Sequence, residues 1–158
     1  MRILLIEDNR LQAEYIERTL ESGFVRLSLG RISTEHEFRS EASKIAEDPP
    51  DVILLDVMLR WTDPAPESEM PPRPDDVVAG GSQRAGLRCL RVLSSDARLA
   101  TIPVILYTVL ARADLEGEME NSVKVEYLPK EAEAQSLIEK ITQVLRDRRK
   151  SENLPSGT

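Results

Sequence analysis

The chain has 158 residues, 41% hydrophobic and 31% charged, with a formal net charge of -7. That length holds one domain with a real core, and the acid excess speaks against a nucleic-acid-binding face, which needs clustered basic charge. The single cysteine, Cys89, rules out an internal disulfide, and no apolar run suits a signal peptide or a membrane span, so a cytoplasmic location is expected.

The first apolar run, Ile3-Leu4-Leu5-Ile6, reads as a strand and stops at Glu7-Asp8. Ala13, Ile16 and Leu20 then share one helical face, and Ser22-Gly23 supplies the stop. Val25 to Leu29 is the second strand candidate. Thr34-x-x-Glu37 has the form of a capping box, opening a helix that turns Phe38, Ala42, Ile45 and Ala46 inward. His36 falls on the opposite face, which predicts exposure. Pro49-Pro50 ends this helix. Val52-Ile53-Leu54-Leu55 is apolar throughout, the pattern of a parallel strand buried on both faces, and it closes on Asp56.

Residues 61 to 82 differ in kind. Pro64, Pro66, Pro71, Pro72 and Pro74 lie there with several acids and Gly80-Gly81, which predicts an extended or disordered loop. A helix is expected from about Gln83 to Ser94, with Cys89 as a small buried hydrophobe. The Pro103 to Tyr107 strand stops at Thr108, and a short acidic helix spans Ala111 to Glu120. A weaker strand, Val123 to Leu128, is followed by Lys130. The last helix, about Glu131 to Arg148, carries Leu137, Ile138, Ile141, Val144 and Leu145 on one stripe. Its terminal Arg146, Arg148, Arg149 and Lys150 offset the helix dipole. The domain is therefore placed at 1–148, with 149–158 as a flexible tail.

Five strands alternating with five helices imply right-handed crossovers and a doubly wound parallel sheet. Parallel strands put Glu7, Asp8, Asp56, Thr108 and Lys130 at one carboxyl edge, where open α/β folds place their sites. A carboxylate pair about 4 Å apart costs roughly 4 kcal/mol at an effective dielectric near 20. Such a cluster calls for a cation or a shared proton. Oxygen donors without His or Cys favour Mg²⁺. Mg²⁺ beside a carboxylate, an ammonium and a hydroxyl suits phosphoryl transfer to an aspartate.

Four segments carry a family resemblance: Ile3-Leu4-Leu5-Ile6-Glu7-Asp8-Asn9, Val52-Ile53-Leu54-Leu55-Asp56-Val57-Met58, Ile102-Pro103-Val104-Ile105-Leu106-Tyr107-Thr108 and Tyr127-Leu128-Pro129-Lys130. In this order they resemble the receiver domain of two-component response regulators, over about residues 1 to 146. The resemblance implies a flavodoxin-like, five-stranded sheet in the order 2-1-3-4-5. Asp56 then corresponds to the phosphoacceptor, Asp8 to a direct metal ligand, Glu7 to an acid acting through water, and Met58 to a backbone-carbonyl ligand. Thr108 corresponds to the switch hydroxyl, Tyr127 to the coupled aromatic and Lys130 to the phosphoryl-binding lysine. Taken singly, Asp8 reads as a helix cap, Tyr127 as a strand aromatic packed on the last helix, and Lys130 as a solvated lysine.

Three features depart from the family pattern, at Lys130, at Val109 and in the 61–82 segment. Receivers usually carry Lys-Pro, and here the order is Pro129-Lys130. The loop after Asp56 is unusually long; it reads as a tolerated insertion, which costs little in loop entropy, or as a partner-binding lid. The implied protein is a stand-alone switch and not a turnover enzyme beyond its own phosphorylation and dephosphorylation. It would be phosphorylated by a histidine kinase or a histidine phosphotransfer protein, and read through the face of the fourth helix, fifth strand and last helix, with a homodimer possible. A phosphorylation-independent binding module is one alternative. A Mg²⁺-dependent aspartyl phosphatase is another, although Met58 stands where such enzymes carry a second acid. No Gly-rich nucleotide fingerprint follows the first strand. Val109, where receivers carry a small residue, is expected to shield the acyl phosphate from water. Val109→Ala should therefore speed autodephosphorylation, and an unchanged rate sinks that idea.

Overall fold

The structure, a computed structural model, describes residues 1–119 and 124–152. Its strands are β1 (Arg2–Ile6), β2 (Ser28–Ile32), β3 (Val52–Leu55), β4 (Val104–Thr108) and β5 (Val125–Pro129). Its helices are α1 (Arg10–Gly23), α2 (Glu35–Glu47), α3 (Asp75–Gly80), α4 (Ala85–Ser95), α5 (Glu116–Met119) and α6 (Ala134–Glu152). The strands pair in parallel in the order β2-β1-β3-β4-β5. Side chains alternate across the sheet and so divide the core in two. Leu4, Ile6, Ile53, Leu55, Val104 and Leu106 face Phe38, Ile45, Leu90 and Leu93 of α2 and α4. Ile3, Leu5, Val52, Leu54, Ile105 and Tyr107 face Ala13, Ile16, Leu137 and Ile141 of α1 and α6. Helices therefore cover both faces, as the continuous apolar runs require. Among the described residues no helix is long and apolar enough to cross a membrane.

Several boundaries differ from those predicted. β2 begins at Ser28, three residues after Val25, which is fully exposed. As an edge strand it buries only Ile32, so its apolar pattern is weak and pairing of Ser28 with Arg2 sets the register. Residues 111–120 hold a short 3₁₀ turn at Arg112–Asp114 and then α5; residue 120 lies outside the described residues, as does Val123. The last helix starts at Ala134 and continues to Glu152, into the stretch read as tail, while 153–158 lie outside the described residues. Cys89 is buried as expected, and burial pushes its thiol well up. Thr34 caps α2 by accepting from the Glu37 N–H at 3.1 Å, but the Glu37 carboxylate reaches the Ser33 N–H and not its own cap.

The largest correction concerns 61–82, which is not extended throughout. All five prolines stand before α3, and Pro74 immediately precedes its first turn, where a missing N–H costs nothing. Asp75 and Asp76 then complement the helix dipole. Gly81 ends the helix at φ +60°, a conformation that favours glycine, and its N–H closes on Val77 at 2.9 Å. The segment is also docked. Trp61 is 8% exposed, donates through Nε1 to the Pro71 carbonyl at 3.1 Å, and meets the His36 ring edge-on at 5.1 Å. His36 is therefore half-buried and not an open surface residue.

A buried ion pair completes the docking. Arg88 of α4 donates twice to Glu35 of α2, at 2.8 and 2.6 Å, and once to the Gly81 carbonyl at 2.8 Å. Arg39 joins Glu35 to Asp76 of α3 at 2.8 and 2.7 Å. Removing one member of such a pair leaves a buried charge exposed to a low dielectric. Arg88→Ala is expected to cost stability toward the lower end of about 3–5 kcal/mol, because Arg39 still reaches Glu35. Urea unfolding measures this, and a loss under about 1 kcal/mol would mean the pair behaves as a surface bridge.

Candidate functional site

Five short strand ends build the site. The Glu7 N–H bonds Ile32, the Asp56 N–H bonds Ile6 and the Lys130 N–H bonds Thr108, each at 3.0 Å. These bonds carry the parallel ladders one residue beyond the strands and fix the backbone under each functional side chain. The last of them answers the Pro129-Lys130 departure: Lys130 is positioned by pairing of β5 with β4. Donor oxygens of Glu7, Asp8 and Asp56 lie within 4.8 Å of one another. Glu7 is 1% exposed and Asp56 6%. Carboxylates so placed need positive charge close by.

Two cations supply it. The Lys130 ammonium donates to Glu7 Oε2 at 2.6 Å and to Asp56 Oδ2 at 2.7 Å. Burial alone would lower its pKa, but its bonds to Asp56 and Glu7 prevail and hold it above the usual lysine value. Burial pushes Glu7 up, helped by the Asp56 charge and opposed by Lys130 and the Asn9 N–H. Asp56 Oδ1 accepts from the Met58 N–H at 3.3 Å. Asp8 has a different partner: its Oδ2 accepts from the Arg60 backbone N–H at 2.9 Å and from Arg60 Nε at 3.2 Å.

The remaining predicted residues are also placed. Thr108 is fully buried at the end of β4, between the strands of Asp56 and Lys130, and its Oγ1 accepts from the Leu110 N–H at 3.4 Å. Tyr127 donates to the Leu110 carbonyl at 2.9 Å. Its ring packs on the α4 and α5 side of the sheet, so the reading that stacked it on the last helix was wrong. Asp8 is likewise not a cap: Asn9 opens α1, accepting from the Gln12 N–H at 3.1 Å. Val109 is half-exposed beside Thr108.

Sequence reasoning missed Arg60. The role of Gly86 also comes only from the structure. A Cβ on Gly86 would collide with the Asp56 carbonyl oxygen and stand 2.6 Å from Val57 Cα, so only glycine lets α4 approach the chain behind Asp56. Its N–H bonds Val57 at 2.8 Å.

All three acids offer hard oxygen donors, which suit Mg²⁺. Fold and site together define an open, doubly wound α/β protein with an acidic carboxyl edge bridged by an ammonium. No family model matches the chain, and no curated protein does. Solved structures do. A signal receiver domain of a signal transduction histidine kinase from Syntrophus aciditrophicus is 23% identical with a TM-score of 0.65, covering 99% of this chain and 96% of that one. The N-terminal domain of a response regulator/sensory box/GGDEF protein from Carboxydothermus hydrogenoformans is 19% identical with a TM-score of 0.67, covering 97% and 100%. A CheY-like receiver domain protein from Methanospirillum hungatei is 19% identical with a TM-score of 0.65, covering 95% and 97%. The chain has the response-regulator receiver fold.

The ammonium between Glu7 and Asp56 sets a pH test. Without it Glu7, which burial and the Asp56 charge already push up, would bind its proton still more tightly folded than unfolded. A raised folded pKa gives stability that is present in acid and lost as pH rises through the folded value. Lys130→Met should therefore be mildly destabilising in acid and cost up to about 3–5 kcal/mol near neutrality. Urea unfolding across pH reads this, and a pH-independent cost would show that Glu7 is not coupled to Lys130.

Proposed function

We propose that this protein is a phosphorylatable signalling switch, a response-regulator receiver that accepts a phosphoryl group on Asp56 from a histidine kinase or a histidine phosphotransfer protein. One observation carries this reading: Glu7, Asp8, Asp56 and Lys130 converge at the carboxyl edge of a receiver-fold sheet. Asp8, Asp56 and the Met58 carbonyl would hold Mg²⁺, with Glu7 acting through water. When bound, that ion neutralises phosphoryl charge and orients the group for in-line transfer.

The chain's own residues supply the rest. An Asp56 oxygen attacks phosphorus, the phosphorus–nitrogen bond to the donor imidazole breaks, and the imidazole leaves with the electron pair. Lys130, already on Asp56 Oδ2, follows the new charge onto a phosphoryl oxygen. Thr108 donates its hydroxyl, which its own acceptor contact with Leu110 leaves free to do so. Tyr127, tied to the Leu110 carbonyl just beyond, passes the rearrangement to the face made by α5, β5 and α6. Output is binding of another protein there. A bias of a few kcal/mol is enough for such a switch.

A second reading, a binding module that is never phosphorylated, is favoured by one observation: Arg60 already occupies Asp8. Incubation with a small acyl-phosphate donor separates the two. The switch is expected to give an acid-stable, base-labile adduct that needs Mg²⁺ and disappears in Asp56→Asn. Absence of any adduct would favour the binding module, and rapid multiple turnover would point to a phosphatase.

A further inference from the structure

Arg60 stands four residues after Asp56, and its backbone is held on both sides. Its carbonyl accepts from the Glu35 N–H at 3.0 Å, and the next carbonyl, Trp61, accepts from the His36 N–H at 2.9 Å, so together they satisfy the first donors of α2. Its own N–H lies 2.9 Å from Asp8 Oδ2. None of these bonds needs the guanidinium, yet the guanidinium adds two more. Nε reaches the same Asp8 oxygen at 3.2 Å and Nη2 reaches the Asp8 carbonyl at 3.2 Å.

This pair is not locked in the core, since the Arg60 side chain is 42% exposed and that of Asp8 21%. A cleft of about 450 Å³ opens beside it, lined by Asp8, Arg10, Arg31, Ser33, Arg60 and Asp63. Asp63 offers a released guanidinium an alternative carboxylate in the same cleft. Lys130 serves Glu7 and Asp56, so Arg60 is the cation that serves Asp8. A divalent ion drawn to Asp8 meets that guanidinium as a like charge at contact range, and two ligands that oppose each other on one group do so reciprocally.

We infer that Arg60 is a built-in competitor for the divalent-cation site: it holds Asp8 in the metal-free protein, and cation binding drives it off toward the cleft. This deepens the switch reading and rests on its assignment of Asp8 to the metal. Metal affinity is then set by a residue outside the ligand set, and so is the concentration of Mg²⁺ at which Asp56 becomes competent.

Calorimetric titration of Mg²⁺ into the full chain tests this, with Arg60→Gln, Arg60→Lys and Asp8→Asn alongside. Arg60→Gln is expected to bind Mg²⁺ about tenfold more tightly than wild type. It should also melt lower without metal and regain more on adding it. Arg60→Lys, which keeps the charge and loses the fork, should fall between, and it stands in if the glutamine variant does not fold. Equal or weaker Mg²⁺ affinity in the Arg60 variants overturns the inference while leaving the switch reading intact, provided Asp8→Asn still abolishes binding. If wild type binds no Mg²⁺, or Asp8→Asn binds as well as wild type, the metal assignment and the inference fail together.

Discussion

Everything at the working edge depends on how three carboxylates, two of them buried, tolerate one another at the end of the sheet. The parallel sheet buries the β1 and β3 runs on both faces and leaves their terminal acids a few ångströms apart. That arrangement stands because Lys130, more than seventy residues further along the chain, lies between Glu7 and Asp56. A cation held between the two acids offsets the repulsion each would otherwise feel from the other.

The second constraint is steric, and it acts from behind Asp56. Gly86 lets α4 seat against the chain at Asp56 and Val57, and Arg88 two residues later joins the same helix to Glu35 of α2. Through that ion pair, the Trp61 ring against His36 and Asp76 against Arg39, the proline-rich segment is fastened to α2 and α4. The long connection after Asp56 is thus a packed ledge at the rim of the acidic edge. Its first residues also cap α2 and deliver Arg60 to Asp8. Insertion and site are mechanically one region, which is why a loop that adds no predicted ligand still bears on the chemistry.

Much of this was legible from residues alone, wherever one local rule decided the matter. The four-residue apolar run before Asp56 could only be a strand buried on both faces, and it is. Thr34 had a cap's chemistry and caps α2. Where two rules competed, the reading slipped. Prolines argued against a helix in 61–82, but all of them lie before α3, where proline is compatible with a helix start. β2 was misplaced because an edge strand needs little apolar content. Asp8 was a plausible cap until Asn9 took that role and released it to the site.

By itself the sequence determined the alternation of strands and helices, the doubly wound class, and the identity of the acids that close the first and third strands, because periodicity and chain order are local properties. Tertiary structure alone decided which charges meet. Lys130 reaches Glu7 and Asp56 through β4–β5 pairing, Arg60 reaches Asp8 through the capping of α2, and Arg88 finds Glu35 across two helices. No spacing rule encodes those meetings. They follow from how distant segments are forced together once the two apolar faces of the sheet are covered.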